Sequence, residues 1–121
     1  MLMIYCKRVY DPCSPQDGYR ILVDRLWPRG IKKVDLQCDE WDKTVAPSNE
    51  LRKWFHQHTD QFAQFVTQYQ QELRQNDEWH NLLEKAQQGN ITLLYSAKDT
   101  QHNQAVVLKE FIEEKLKELK E

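Results

Sequence analysis

The chain has 121 residues, 40% of them hydrophobic and 30% charged, and a net charge of −2. That is enough for one hydrophobic core, and it excludes a disordered chain. No apolar run approaches the roughly 20 residues of a membrane-spanning helix, and the slight negative charge speaks against a broad nucleic-acid-binding face.

The charge is uneven along the chain. Residues 1–53 hold ten Lys/Arg against eight Asp/Glu, and the remainder is acidic. Those later acids mostly decorate helices, so a local basic pocket is compatible with the overall sign. The apolar opening Met1–Tyr5 ends at Cys6, Lys7 and Arg8. It is too short for a signal-peptide core of roughly 7–15 residues. Cys6, Cys13 and Cys38 form no CxxC pair. The expectation is three free thiols in a cytoplasmic protein.

In chain order, Leu2–Val9 reads as a first strand, rich in β-branched and aromatic residues. Tyr10–Gly18 is a loop, because Pro12 and Pro15 exclude regular structure and Asp17-Gly18 signals a turn. The loop is too short for a crossover helix. The first two strands are therefore antiparallel or not simple neighbours. Tyr19–Arg25 is the second strand, with a continuous apolar run that suits burial on both faces. Leu26-Trp27-Pro28-Arg29-Gly30 stops it, and Ile31–Leu36 holds one short helical turn.

Gln37–Ala46 reads as a weaker third strand, without clean alternation. Ser48 is a good N-cap for a helix over Asn49–His58, with Leu51, Trp54, Phe55 and His58 on one face. Phe62, Phe65, Val66, Tyr69 and Leu73 mark an amphipathic helix. Trp79, Leu82, Leu83 and Ala86 mark another, closed by Gly89 at C′. Ile91–Tyr95 is an apolar fourth strand. Ala105, Leu108, Phe111, Ile112, Leu116 and Leu119 face the core along a last helix. The four tryptophans, Trp27, Trp41, Trp54 and Trp79, read as core anchors. His56 and His58 read as surface or packing residues.

This order predicts an α/β fold. It is a single three-layer domain over 1–121, with a small, mostly parallel sheet flanked by helices on both faces. Strand four should lie centrally, beside strand two and parallel to it. Their C-terminal ends would then bring Asp24, Arg25, Trp27 and Arg29 near Ser96, Lys98, Asp99, His102 and Asn103. The end of strand three could add Lys43 and Ser48. Ligands in open α/β sheets bind at that edge.

Arg25, Arg29 and Lys98 would bind a phosphate or carboxylate group, helped by the start of the last helix. Trp27, Ser96 and Asn103 would complete the binding set. Asp99 or His102 would act as general acid or base, with Asp24 orienting Arg25 or the substrate. Each has a plainer reading. Asp99 or Thr100 serves equally well as an N-cap, and Arg25 as an ion-pair partner of Asp24 or Asp99. Asp24, Asp99 and His102 are donor types that suit a divalent ion, but this is the weaker reading and no metal site is assigned. No nucleophile elbow, P-loop or dinucleotide fingerprint is present, and no cofactor is indicated.

Three motifs carry a resemblance: DGYRILVDRLWPRG at Asp17–Gly30, APSNELRKWF at Ala46–Phe55, and TLLYSAKDTQHNQAVVL at Thr92–Leu108. Together they span essentially the whole chain, and it resembles the DUF488 family in its YeaO-like branch. The resemblance implies a compact α/β domain and supplies no reaction, substrate or cofactor. It includes Arg52, Trp54 and Phe55 as motif positions without a role. Other DUF488 branches carry a cysteine in the late strand–turn region. Here Tyr95-Ser96-Ala97 stands there, so a thiol mechanism does not carry over. Two functions follow as expectations. One is an enzyme acting on a small phosphorylated or nucleotide-like substrate. The other is a non-catalytic anion-binding or interaction module. Single-stranded nucleic-acid binding through Trp27, Arg29, Lys32 and Lys33 is a weaker third.

Overall fold

The computed structural model describes residues 2–120. Four strands form one fully parallel sheet in the order β1-β4-β2-β3. They are β1 (Ile4–Arg8), β2 (Tyr19–Leu22), β3 (Glu40–Trp41) and β4 (Ile91–Tyr95). The expected place of strand four is borne out: it lies between β1 and β2 and is parallel to both. Strands one and two are therefore not neighbours. All five residues of β4 are buried, as the apolar run required. The backbone pairing outlasts β2, since Val23 N–H donates to Leu94 O at 3.0 Å.

Four helices follow the expected pattern: α1 (Asn49–Gln57), α2 (Phe62–Arg74), α3 (His80–Gln88) and α4 (Gln104–Leu119). Alternation along the strands sorts two clusters. Ile21, Val23, Ile91, Leu93 and Tyr95 pack with buried residues of all four helices. Leu22 and Leu94 point the other way, onto Val9, Leu36, Trp27, Ile31, Cys38 and Trp41. The second face is thus covered by the irregular segment 24–39 and not by a helix, which corrects the expected layer. A parallel connection needs a dozen or more residues. This segment supplies them, while Pro28 and the positive-φ Gly30 keep it from becoming helical. Its single turn is present: Asp35 N–H donates to Lys32 O at 2.9 Å.

The third strand is only two residues long. Asp42 ends it by accepting from Thr44 N–H at 3.1 Å, which starts a 3-10 turn over Lys43–Val45. A short polar side chain here outcompetes the sheet for the backbone. Gly89 does close α3, but with φ 175° it is extended and not left-handed. Leu119 is 58% exposed and does not face the core. All four tryptophans pack against one of the two clusters, as expected.

Ser48 caps α1 by accepting from Leu51 N–H at 3.1 Å. Its own N–H and Oγ donate to the two carboxylate oxygens of Glu72 on α2, at 2.9 and 2.6 Å. One serine thus ties the start of α1 to α2. Ser48→Ala is expected to cost about 1–2 kcal/mol, and Ser48→Thr much less, read as shifts in the urea midpoint.

The N-terminal edge of the sheet is held by Asn90 and Asp17. Asn90 accepts from Met3 N–H at 2.9 Å and donates to Gln16 O at 3.0 Å, and its carbonyl accepts from Tyr19 N–H at 3.0 Å. Asp17 is buried between Lys7 and Arg20. Gly18 passes between them with φ 66° and ψ −134°.

Candidate functional site

Because every strand runs the same way, all four C-terminal ends meet at one edge. A cleft of about 620 Å³ opens there, a size suited to a small-molecule ligand. All nine residues expected at the site, from Asp24 to Asn103, line it. Helices α1 and α2 also line it, through Arg52, Phe55, His56 and Phe65. Lys43 and Ser48 lie away from it. Lys43 instead sits 4.1 Å from the Trp41 ring centroid, and Ser48 is spent on Leu51 and Glu72.

Asp24 forms the floor. It is buried and accepts from Ser96 N–H at 2.9 Å, Ser96 Oγ at 2.7 Å and the side-chain amide of Gln104. Its backbone carbonyl accepts from Trp41 Nε1 at 2.8 Å. Burial pushes the carboxyl above the ordinary aspartate value, and the Ser96 hydrogen bonds offset part of that shift. Asp24 thus clamps β2 to the turn after β4 and to the first residue of α4. It has no ion pair with Arg25 among the described residues.

The turn after β4 is built on two side chains. Asp99 accepts from Gln101 N–H at 2.9 Å and His102 N–H at 3.0 Å. His102 Nδ1 lies 3.0 Å from Asp99 Oδ2. The bond from Gln101, then those from His102, hold the Asp99 carboxyl below the ordinary aspartate value. The cap of α4 is neither Asp99 nor Thr100. It is the buried Asn103, which accepts from Val106 N–H at 3.1 Å and donates to Asp99 O at 2.8 Å. Asp99 caps the turn instead. Among the described residues no group of three His, Cys, Asp or Glu side chains is placed to hold a metal ion.

Four cations line the cleft: Arg25, Arg29, Arg52 and Lys98. None of them is within ion-pair distance of a carboxylate among the described residues. Arg25 Nε donates to Pro47 O at 3.1 Å, which fixes the guanidinium at the end of the 3-10 turn. Arg52 Nη2 reaches Asn49 Oδ1 at 3.4 Å, while its Nε is buried with no partner. An unpaired buried donor is costly, about 1–3 kcal/mol, more for a charged group, and is expected to find an acceptor.

The sequence did not single out Arg52, Phe55, His56 or Gln104 as site residues. Arg52 reads as an ordinary solvated position on an amphipathic helix. The only signal was its place in the second motif, three residues before Phe55. Gln104 follows the cap and carries no motif of its own.

A family model described as the inactive DUF488-N3 subclade matches residues 3–121. The chain is 56% identical over 110 residues to the uncharacterized protein YeaO of Escherichia coli K12, covering 90% of this chain and 96% of the relative. It is 37% identical over 105 residues to the uncharacterized protein Rv3073c of Mycobacterium tuberculosis H37Rv and to Mb3100c of Mycobacterium bovis, covering 87% of this chain and 89% of each relative. No solved structure matches. With three motifs and nearly the whole chain aligned, the protein belongs to the DUF488 family, in the branch whose model is described as the inactive N3 subclade.

Proposed function

We propose that the cleft binds a small molecule bearing a phosphate or carboxylate group and does not turn it over. The carrying observation is Arg25 and Arg52, two guanidinium groups that line one cleft with no carboxylate within ion-pair distance among the described residues. Arginine presents a planar fork of donors that matches such anions. Arg29 and Lys98 add charge at the rim, and both are exposed. The acids do not cancel this surplus: the lining holds four cations against two carboxylates, Asp24 and Asp99. Absence of turnover rests on the description of the family model. It also rests on the exposure of Asp99 and His102, whose side chains are 56% and 51% accessible. Acid–base groups act best where water is excluded.

The test is thermal unfolding with inorganic phosphate, a sugar phosphate and simple carboxylates. At least one should raise Tm, and both Arg25→Gln and Arg52→Gln should remove most of the rise. No shift with any of them would end the proposal. One contact favours a second reading, an enzyme acting on a small phosphorylated or nucleotide-like substrate. His102 held by Asp99 through Nδ1 leaves Nε2 available as a general acid or base. Product formation lost in His102→Ala would establish it.

A further inference from the structure

The walls of the cleft say more about the ligand than its charge does. An inorganic anion would fill only a small part of 620 Å³. The remaining space is bounded chiefly by apolar groups, among them Leu26, Trp27, Pro28, Pro47, Phe55 and Phe65. Three of these are aromatic rings held by their neighbours. Phe55 and Phe65 stack at 4.3 Å and 19°. Trp27 is held edge-on to Trp41 at 5.2 Å, and its Nε1 donates to Ile31 O at 2.7 Å. A ring fixed by neighbours and by its own hydrogen bond loses little freedom when a ligand packs on it. Leu26 stands at the mouth with 59% of its surface in water. An apolar side chain in that position gains from being covered.

Resting on the anion-binding reading above, we infer that the ligand is a small phosphate monoester whose carbon body carries a planar ring. The phosphate lies between Arg25 and Arg52, neither of which has a carboxylate within ion-pair distance among the described residues. Two guanidinium groups with two further cations favour a dianion over a single carboxylate charge. The ring lies against the aromatic and apolar walls, where any flat π-system packs by its face.

Titration calorimetry compares four probes: phenyl phosphate, adenosine 5′-monophosphate, glycerol phosphate and inorganic phosphate. At least one ring-bearing probe should bind about tenfold or more tightly than both ring-free ones. Phe55→Leu and Leu26→Ser should each erode that ratio while leaving inorganic phosphate binding in place. Leu26 is exposed, so its variant reads the ratio without a folding change. If ring-bearing and ring-free phosphates bind alike, or if neither variant alters the ratio, this inference is wrong and the anion-binding reading stands. If none of the four binds, this inference fails and so does the phosphate half of the anion-binding reading.

Discussion

Gly18→Ala is expected to destabilise the protein by roughly 3–5 kcal/mol, the largest effect of an added methyl group at any of its three glycines. Two independent costs combine. Gly18 has φ 66° and ψ −134°, in the mirror-image β region that residues with a Cβ rarely enter. A Cβ built there would also be driven into the carbonyl group of Asn90, well inside van der Waals contact. That carbonyl cannot retreat freely, because it accepts from Tyr19 N–H and its residue bridges Met3 and Gln16. Gly30 is the control. It also has a positive φ, 78°, but a Cβ there meets nothing within 4 Å. Gly30→Ala should cost only about 1–2 kcal/mol. Urea denaturation of the two variants gives the comparison, and equal losses would refute the packing half of the argument.

Asp17→Asn is expected to cost about 3–5 kcal/mol, because it leaves a buried guanidinium without its counter-charge. Asp17 is 1% exposed and Arg20 5%. Lys7 Nζ lies 2.8 Å from Asp17 Oδ1, and Ser14 N–H donates to Oδ2 at 3.1 Å. Burial alone would raise the carboxyl. The bonds from Lys7, Ser14 and Arg20 outweigh it and hold the carboxyl below the ordinary aspartate value. The sign follows from that direction. A carboxyl lowered on folding contributes stability above its unfolded value, and the contribution is lost as pH falls through the folded value. The gap in stability between wild type and Asp17→Asn should therefore be widest near neutrality. It should narrow as pH falls below the ordinary aspartate value toward the lowered folded value. Asp24, raised by burial, changes stability in the opposite sense, but it is common to both proteins and cancels from the difference. A gap independent of pH would mean that the charge of Asp17 does not matter.

The arrangement of the sheet was legible because Ile21–Val23 and Ile91–Tyr95 are uninterrupted apolar runs. Only strands covered on both faces need such runs, and that requirement put β2 beside β4. The third strand was over-read for a matching reason. QCDEWDKTVA has strand-forming residues, yet Asp42 captures Thr44 N–H and ends the ladder after two residues. A local side-chain bond of that kind leaves no periodicity to detect. The cover on the second sheet face was also missed. Nothing in Leu26–Cys38 announces a layer, and its apolar residues act together only once the loop folds back.

At the site, the two halves were legible as strand ends, and their residues do share a cleft. Roles within the halves were less so. The run DTQHN offers Asp99, Thr100 and Asn103 as caps, and only the geometry of α4 selects Asn103. Arg52 could not be placed from sequence, because its entry into the cleft depends on how α1 packs in the fold.

The strand order has a consequence for how the chain reaches this state. β1 and β2 touch only through β4, whose register pairs Ile4 with Ile91 and Tyr19 with Ile91. Until residues 91–95 exist, β1 has no neighbour and β2 has only the two-residue β3, and half of the cleft is missing as well. On a ribosome, where synthesis runs at about 5–20 residues per second, the first half of the chain therefore waits for seconds with β1 unpaired and one edge of β2 open. Closing a loop of this length sets a slow entry to the fold, and the Lys7, Arg8 and Arg20 side chains interrupt the early strands with charge during that wait.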